Sequence, residues 1–309
     1  MPLLDPSLLA VVAAAIDSDV RNAARISRQL GFAGLLLDVS MPGLNLTDLS
    51  QSGRREVAQV LRSENQRLAA IRFDLGPTGI TPRTDLDKLL FKLEKVLDAA
   101  ASLGATVLCM DAGPLPLPQD EHAPAAASAS APPATAGRII LPSSDDLRAL
   151  VGIAPASITA SANPDPAGFA AVDTAFTEIA QRADRFSVAV AISSELSSFA
   201  AIDRALKRFD ARHMAVDLDA VAIVRDRWSL DEILSAVGPR IRHVRLRDAA
   251  VGADRRTSAV PIGRGSVPLG AMLSGLLDGG YTGMCTIDTM ELADRWAAAP
   301  AARKMLSML

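Results

Sequence analysis

Histidine is scarce in this chain, with three among 309 residues, and cysteine is scarcer, with two. Cys109 and Cys285 both fall inside apolar runs with strand character. They read as small core residues of a reduced, cytoplasmic protein and not as a bridge. Aromatic residues are only 4% of the total, which disfavours a sugar pocket built by stacking on several rings. Charge of one sign is missing too: the formal net charge is −3, so no overall field draws the chain to nucleic acid or to an anionic membrane. Long hydrophobic runs are absent. The run Leu8–Ile16 is flanked by Asp5 and Asp17, lacks a basic leader and is far too short for a bilayer. It reads as a first strand.

What the sequence does contain is a recurrence. Apolar runs of strand type end in acidic residues along nearly the whole chain, at Asp17, Asp38, Asp74, Asp111, Asp219, Asp248 and Asp288, and an eighth run ends near Ser193 and Glu195. Amphipathic helical stretches separate most of them. Strand, helix and short turn in alternation imply a parallel sheet with right-handed crossovers. Eight such units describe an α/β fold, the (β/α)8 or TIM barrel, whose functional residues gather at the C-terminal ends of the strands. A chain that is 49% apolar over 309 residues is long enough for one such core, so residues 1–309 are expected to form a single domain.

Punctuation places the units. Asp17 or Ser18 can cap a helix over 19–30 that Gly31 ends, before a strand at 34–38. A helix at about 52–66 and a strand at 68–74 follow. Asp85 caps a long helix to Leu103, closed by Gly104, and a strand runs to Asp111. The rhythm breaks at 113–137, a Pro-, Ala- and Ser-rich stretch that reads as a flexible insertion on the functional face, with a lid as the alternative. The segment 138–165 is ambiguous. Helices at 167–185, 196–209, 229–237 and 266–279 then alternate with strands at 187–193, 213–219, 241–247 and 283–288, and a last helix lies within 291–309.

The last third carries a resemblance. IRHVRLRD (241–248), PIGRGSVPLGAML (261–273) and LLDGGYTGMCTID (277–288) resemble the xylose-isomerase-like TIM-barrel superfamily of sugar isomerases, epimerases and related endonucleases, as does GFAGLLLDVS (31–40). The stretch LSQSGRREV (49–57) is similar to sugar-phosphate isomerase/epimerase homologues. The resemblance implies one divalent metal held by a Glu on strand five, an Asp on strand six, a His on strand seven and a Glu on strand eight. That metal would polarise a sugar carbonyl while carboxylates move a proton between carbons. It also implies small-molecule ligands and no nucleic acid, since the endonuclease branch needs several histidines that this chain lacks.

Carried over residue by residue, the ligand set is altered. Ser193 stands at the strand-five position, with Glu195 two residues beyond and able to reach inward only if its loop turns back. Asp219 is kept, Ala222 replaces a substrate-contacting His, Arg245 stands where the ligating His belongs, and Asp288 replaces Glu. A guanidinium does not lose its proton, so Arg245 cannot ligate a metal. It is expected to neutralise Asp219 and Asp288 by direct pairing and so to fill the metal position. If a metal site survives, Asp219, Asp288 and Glu195 are its candidate ligands, for Mn²⁺, Mg²⁺, Co²⁺ or Zn²⁺.

The reading is a divergent sugar or sugar-phosphate isomerase/epimerase with a degenerate metal site. Asp219, Arg245, Asp248 and Asp288 are its candidate catalytic residues, with Asp248 orienting the seventh-strand groups. Arg72, His243 and Arg264 are candidates for substrate binding, Arg264 because it sits in a Gly-Arg-Gly loop after strand seven, where barrels often bind phosphate. The alternative is a non-catalytic barrel that binds a small anion or acts as a scaffold. A membrane partner is not expected, and an oligomer is compatible with the helical exterior.

Overall fold

The computed structural model describes residues 4–116, 166–209, 211–252 and 256–309. Eight parallel strands close on themselves: β1 (Leu9–Val12), β2 (Gly34–Asp38), β5 (Arg67–Asp74), β6 (Val107–Asp111), β7 (Ala189–Ser193), β8 (Met214–Asp219), β9 (Ile241–Leu246) and β12 (Cys285–Ile287). Strand β1 pairs with both β2 and β12, which seals the barrel. Two small antiparallel ribbons lie outside it, β3 (Ser40–Met41) with β4 (Leu44–Asn45), and β10 (Asp248–Val251) with β11 (Thr257–Val260). The helices are α1 (Ala13–Ile16), α2 (Val20–Gln29), α3 (Gln51–Ser63), α4 (Leu86–Leu103), α5 (Pro166–Phe186), α6 (Phe199–Arg208), α7 (Ala220–Asp226), α8 (Leu230–Val237), α9 (Leu269–Asp278) and α10 (Arg295–Leu306).

Alternation along each strand sorts the side chains into two cores, because neighbouring residues point to opposite faces. Leu35 and Leu37, Ile71 and Phe73, Val216 and Leu218, Val244 and Leu246 face outward and pack with the helices in the main core. The intervening residues Val12, Leu36, Ala70, Cys109, Ala191 and Ala215 form a separate cluster inside the barrel. Most of these inward residues are small, as a narrow interior requires. Toward the C-terminal ends the inward positions become polar, and that change makes the mouth.

Helix starts follow the side chains that can accept a backbone N–H. Asp85 accepts from Lys88 and Ser198 from Ala201, while Ser229 and Glu232 form a reciprocal capping box. Gly104 ends α4 at φ 77°, a left-handed conformation that costs glycine nothing.

The structure departs from the sequence reading in four places. The run Leu8–Ile16 is not one strand: β1 stops at Val12, and Ala13–Ile16 turn into a short helix, in keeping with the high helix propensity of alanine. Asp19, not Asp17 or Ser18, caps α2, and Asp17 instead accepts the N–H of Asp19. Helix α7 and the ribbon β10–β11 occupy stretches expected to be irregular. The insertion expected at 113–137 lies outside the described residues beyond Pro116, as do His122 and the ambiguous segment up to 165.

Candidate active site at the barrel mouth

Three residues of the seventh barrel strand and its end, His243, Arg245 and Arg247, share one parity and rise from interior to rim. Arg245 is the middle one and is only 1% exposed. Its Nη1 donates to Glu195 Oε2 at 2.5 Å and its Nη2 to Asp217 Oδ2 at 2.8 Å. Longer bonds run from Nη2 to Asp111 Oδ1 at 3.4 Å and to Ser193 Oγ at 3.5 Å. Burial works against the charge, but Asp217, Asp111, Glu195 and Asp288 outweigh it and hold the guanidinium's pKa well above its usual value. A buried cation is tolerated only when it is paired and hydrogen-bonded, and this one is matched by carboxylates from three different strands or their loops.

Below Arg245 lies a fully buried chain of hydrogen bonds. Asp217 Oδ1 meets His243 Nδ1 at 2.7 Å, and His243 Nε2 meets Thr286 Oγ1 at 2.7 Å. An ionised carboxylate only accepts, so Nδ1 carries the proton of that bond. Burial pushes the Asp217 carboxyl up, yet Arg245 and His243 together overcome it and hold the group well below the usual carboxylate range. Cys109, Asp217 and His243 also bring one ligand atom each within 4.8 Å of one another. As a metal site they fit poorly. Both Asp217 oxygens are already committed, a guanidinium stands 2.8 Å away, and burial together with the Asp217 charge pushes the Cys109 thiol well above its usual value.

The rim is a second layer of arginine–carboxylate pairs. Arg247 donates through Nε and Nη2 to the two oxygens of Asp219, and through Nη1 to Glu195 at 3.1 Å and Glu291 at 2.7 Å. Across the mouth, Arg72 bridges Asp38 at 2.5 Å and Asp288 at 3.2 Å. Asp111 is the least satisfied of the group. Burial raises its pKa above the usual value despite the opposing charge of Arg245, while the nearby charge of Asp217 adds to the rise.

The geometry corrects one expected pairing. Arg245 bonds to Glu195, Asp217 and Asp111, and not to Asp219 and Asp288. Arg247, one step nearer the rim, has taken both oxygens of Asp219, and Arg72 has taken Asp288, so Arg245 turns down toward Asp217. Glu195 does reach inward. Its loop turns back because Arg225, on α7, donates to the carbonyls of Ser194, Glu195 and Ser197. Asp248 does not orient the seventh-strand groups. Its carboxylate accepts from the backbone N–H of Ala249, Gly263, Gly265 and Val267, which clasps the loop after the strand. Arg264 is exposed in that loop, between the Gly263 and Gly265 N–H groups that Asp248 holds.

Asp217, Thr286 and Arg225 escaped the sequence reading, while Asp111 stood in it only as one of the strand-end acids. Asp217 was open to it, because it lies two residues before Asp219 and so shares its face. Arg225 gave no signal, since apart from its neighbour Asp226 its partners are main-chain carbonyls of a loop some thirty positions away.

A family profile for the xylose isomerase-like TIM barrel matches residues 24–308. Comparison with curated proteins finds no match. Among solved structures, a xylose isomerase domain protein from Planctomyces limnophilus is similar with a TM-score of 0.68 at 13% identity, covering 97% of this chain and 96% of its own. A D-allulose 3-epimerase from Methylomonas sp., in complex with D-allulose, gives 0.66 at 13% identity over 100% and 99%. A xylose isomerase-like TIM barrel protein from Mycobacterium smegmatis, in complex with magnesium, gives 0.63 at 17% identity over 94% and 89%. Identities this low speak to the fold alone.

Proposed function

This chain belongs to the xylose isomerase-like TIM barrel family, and on that premise we propose that it is a divergent sugar isomerase or epimerase whose mouth works through Arg245. The observation that carries the reading is the burial of Arg245 at the centre of the mouth, clamped by Glu195, Asp217 and Asp111.

A divalent cation of the kind the family implies does not fit the mouth residues present. Its strand-seven ligand is an arginine. Both oxygens of Asp219 face Arg247, Asp288 faces Arg72, and Glu195 is shared between Arg245 and Arg247. The carboxylates that would hold a metal are already matched by guanidinium groups.

Isomerisation and epimerisation both begin when a base removes a proton from the carbon beside a carbonyl. Negative charge then develops on the carbonyl oxygen. A fixed, dry cation near that oxygen stabilises the enediolate without reorganising, and Arg245 supplies one. A carboxyl with a raised pKa exchanges its proton closer to neutral pH, which suits Asp111 to carrying the proton. Asp219 and Asp288 remain candidate carriers at the rim, and Glu195 is the most exposed carboxylate that touches Arg245. Return of the proton to the former carbonyl carbon, with the hydroxyl proton passing from the adjacent oxygen to the former carbonyl oxygen, gives isomerisation; return to the other face of the same carbon gives epimerisation. Arg264 is the group proposed for a phosphate, should the sugar carry one. A cytoplasmic setting belongs to the same reading, with Cys109 and Cys285 both unpaired.

The test has two parts. Metal-stripped protein is unfolded thermally with Mn²⁺, Mg²⁺, Co²⁺ or Zn²⁺, and no saturable stabilisation is expected. Stabilisation that disappears in Asp219→Ala/Asp288→Ala would replace this reading with a metal-centred one. Aldoses and ketoses are then incubated with the protein in D₂O and followed by NMR. Solvent deuterium should enter at the carbon beside the carbonyl, with a rate about 100-fold lower in Arg245→Met. Absence of exchange with every sugar would favour the scaffold alternative.

A further inference from the structure

The opposite, N-terminal face of the barrel carries a cavity of about 460 Å³ that the mouth chemistry does not use. A second cavity of about 500 Å³ adjoins it along Thr106, Val107, Arg242, Thr282 and Gly283. Neither has an aspartate or glutamate in its lining. The first is lined by three arginines from different elements: Arg62 on α3, Arg67 at the start of β5 and Arg242 near the start of β9.

At the mouth Arg72, Arg245 and Arg247 are each paired to a carboxylate. Here, among the described residues, none of the three arginines forms an ion pair, although the Arg67 charge reaches Asp5. Arg62 bonds to the Gln59 side-chain carbonyl, Arg67 to the main-chain carbonyl of Ser7, and Arg242 to the carbonyls of Pro239 and Ile241. Helix C-termini converge on this face and carry partial negative charge, which accounts for Arg62 in the last turn of α3. It does not account for Arg67 and Arg242, which sit on strands. Three guanidinium groups around one cavity, none ion-paired among the described residues and only Arg67 with an acid, Asp5, in electrostatic reach, are a local excess of cation that wants an anion.

Two further features narrow the anion. Leu61, Leu103, Val107 and Met284 give the same cavity an apolar wall, so the ligand has an organic body. Gln66, also in the lining and buried, donates through Nε2 to Phe32 O, while its Oε1 has no partner among the described residues. That acceptor is itself closed off from solvent, so a ligand donor reaches it only by displacing part of the lining. The volume falls in the range of small-molecule sites.

We propose that this cavity is a second binding site, separate from the mouth, for a small organic phosphate. The phosphate lies between Arg67 and Arg242, with Arg62 adding charge, and the organic body lies against Leu61, Leu103 and Met284. The proposal does not depend on what the mouth does.

Calorimetry at low salt on the full chain tests it, with inorganic phosphate and phenyl phosphate as probes. Both should bind saturably at one site, phenyl phosphate the tighter because it also uses the apolar wall. Arg67→Ala/Arg242→Ala should weaken both by about tenfold or more, and Arg242→Glu should abolish binding. All three arginines are exposed, so these variants keep their fold, and unchanged circular dichroism and melting temperature confirm it. Arg21→Ala, exposed on α2 and outside both cavities, should bind as the parent does. Absence of saturable binding, unchanged affinity in the double variant, or loss in Arg21→Ala would each overturn the proposal.

Discussion

Asp217 and Asp111 both contact Arg245, and physical chemistry assigns them opposite parts. Asp217 is fully buried and divided between a guanidinium and an imidazole. Its pKa lies below the unfolded-state value near 3.8, so it contributes stability above that value and loses it as pH falls through the folded pKa. Asp111 has its pKa raised, so its ionisation costs stability as pH rises from about 3.8 through the folded pKa. Asp217→Asn should therefore destabilise by about 3–5 kcal/mol at neutral pH, because Arg245 and His243 lose their shared counterion. Asp111→Asn should be neutral or stabilising at pH 7 and should flatten the acid side of the stability profile. Urea unfolding between pH 4 and 8 checks both. A penalty in Asp111→Asn as large as in Asp217→Asn would show that Asp111 is the main counterion of Arg245. Arg245 and Asp219 were legible in the sequence because each stands at a strand end where the family places a ligand. Their partners were not: which carboxylate a long arginine reaches depends on what its neighbours have already taken, and Arg247 and Arg72 took Asp219 and Asp288.

The elements were more legible than the contacts between them, because caps and periodicity are local. Asp85, Gly104 and Ser229 mark helix ends by rules that need only a few neighbouring residues. The ribbon β10–β11 lies in a stretch where nothing in the sequence announces a strand. What fixes that region is Asp248, whose carboxylate gathers four backbone N–H groups from residues up to nineteen positions away. Gly265 lies so close that a Cβ there would sit 2.1 Å from Asp248 Oδ1. Asp248→Ala leaves those four donors to water or to nothing and should cost about 2–4 kcal/mol. Amide exchange should quicken at Gly263, Gly265 and Val267, while β9 itself keeps its protection. Equal loss of protection along β9 would mean that Asp248 supports the strand and not only the loop that follows it.

At the scale of the whole molecule, the two ends of the barrel handle charge in different ways. At the mouth, guanidinium and carboxylate are paired inside a wall that excludes solvent, with Arg245 and Asp217 at 1% and 0% side-chain exposure. At the opposite face, Arg62, Arg67 and Arg242 are exposed and form no ion pair among the described residues. Dissolved ions screen exposed charges over about 8–10 Å at moderate salt and reach buried pairs far less. The two faces should therefore separate in a salt titration. Between 0.1 and 1 M NaCl, the stability difference between the parent chain and Asp217→Asn should change by less than about 0.5 kcal/mol, because no ion replaces Asp217 beside Arg245. Surface pairs such as Arg21–Glu56, with side chains 65% and 70% exposed, should add little at any salt concentration. Phosphate affinity at the opposite face should fall steeply over the same range, since its arginines meet the ligand in solvent. A mouth whose Asp217→Asn penalty shrinks with salt would be an open, hydrated cleft, and Arg245 could not then act as the dry, fixed cation that enediolate chemistry requires.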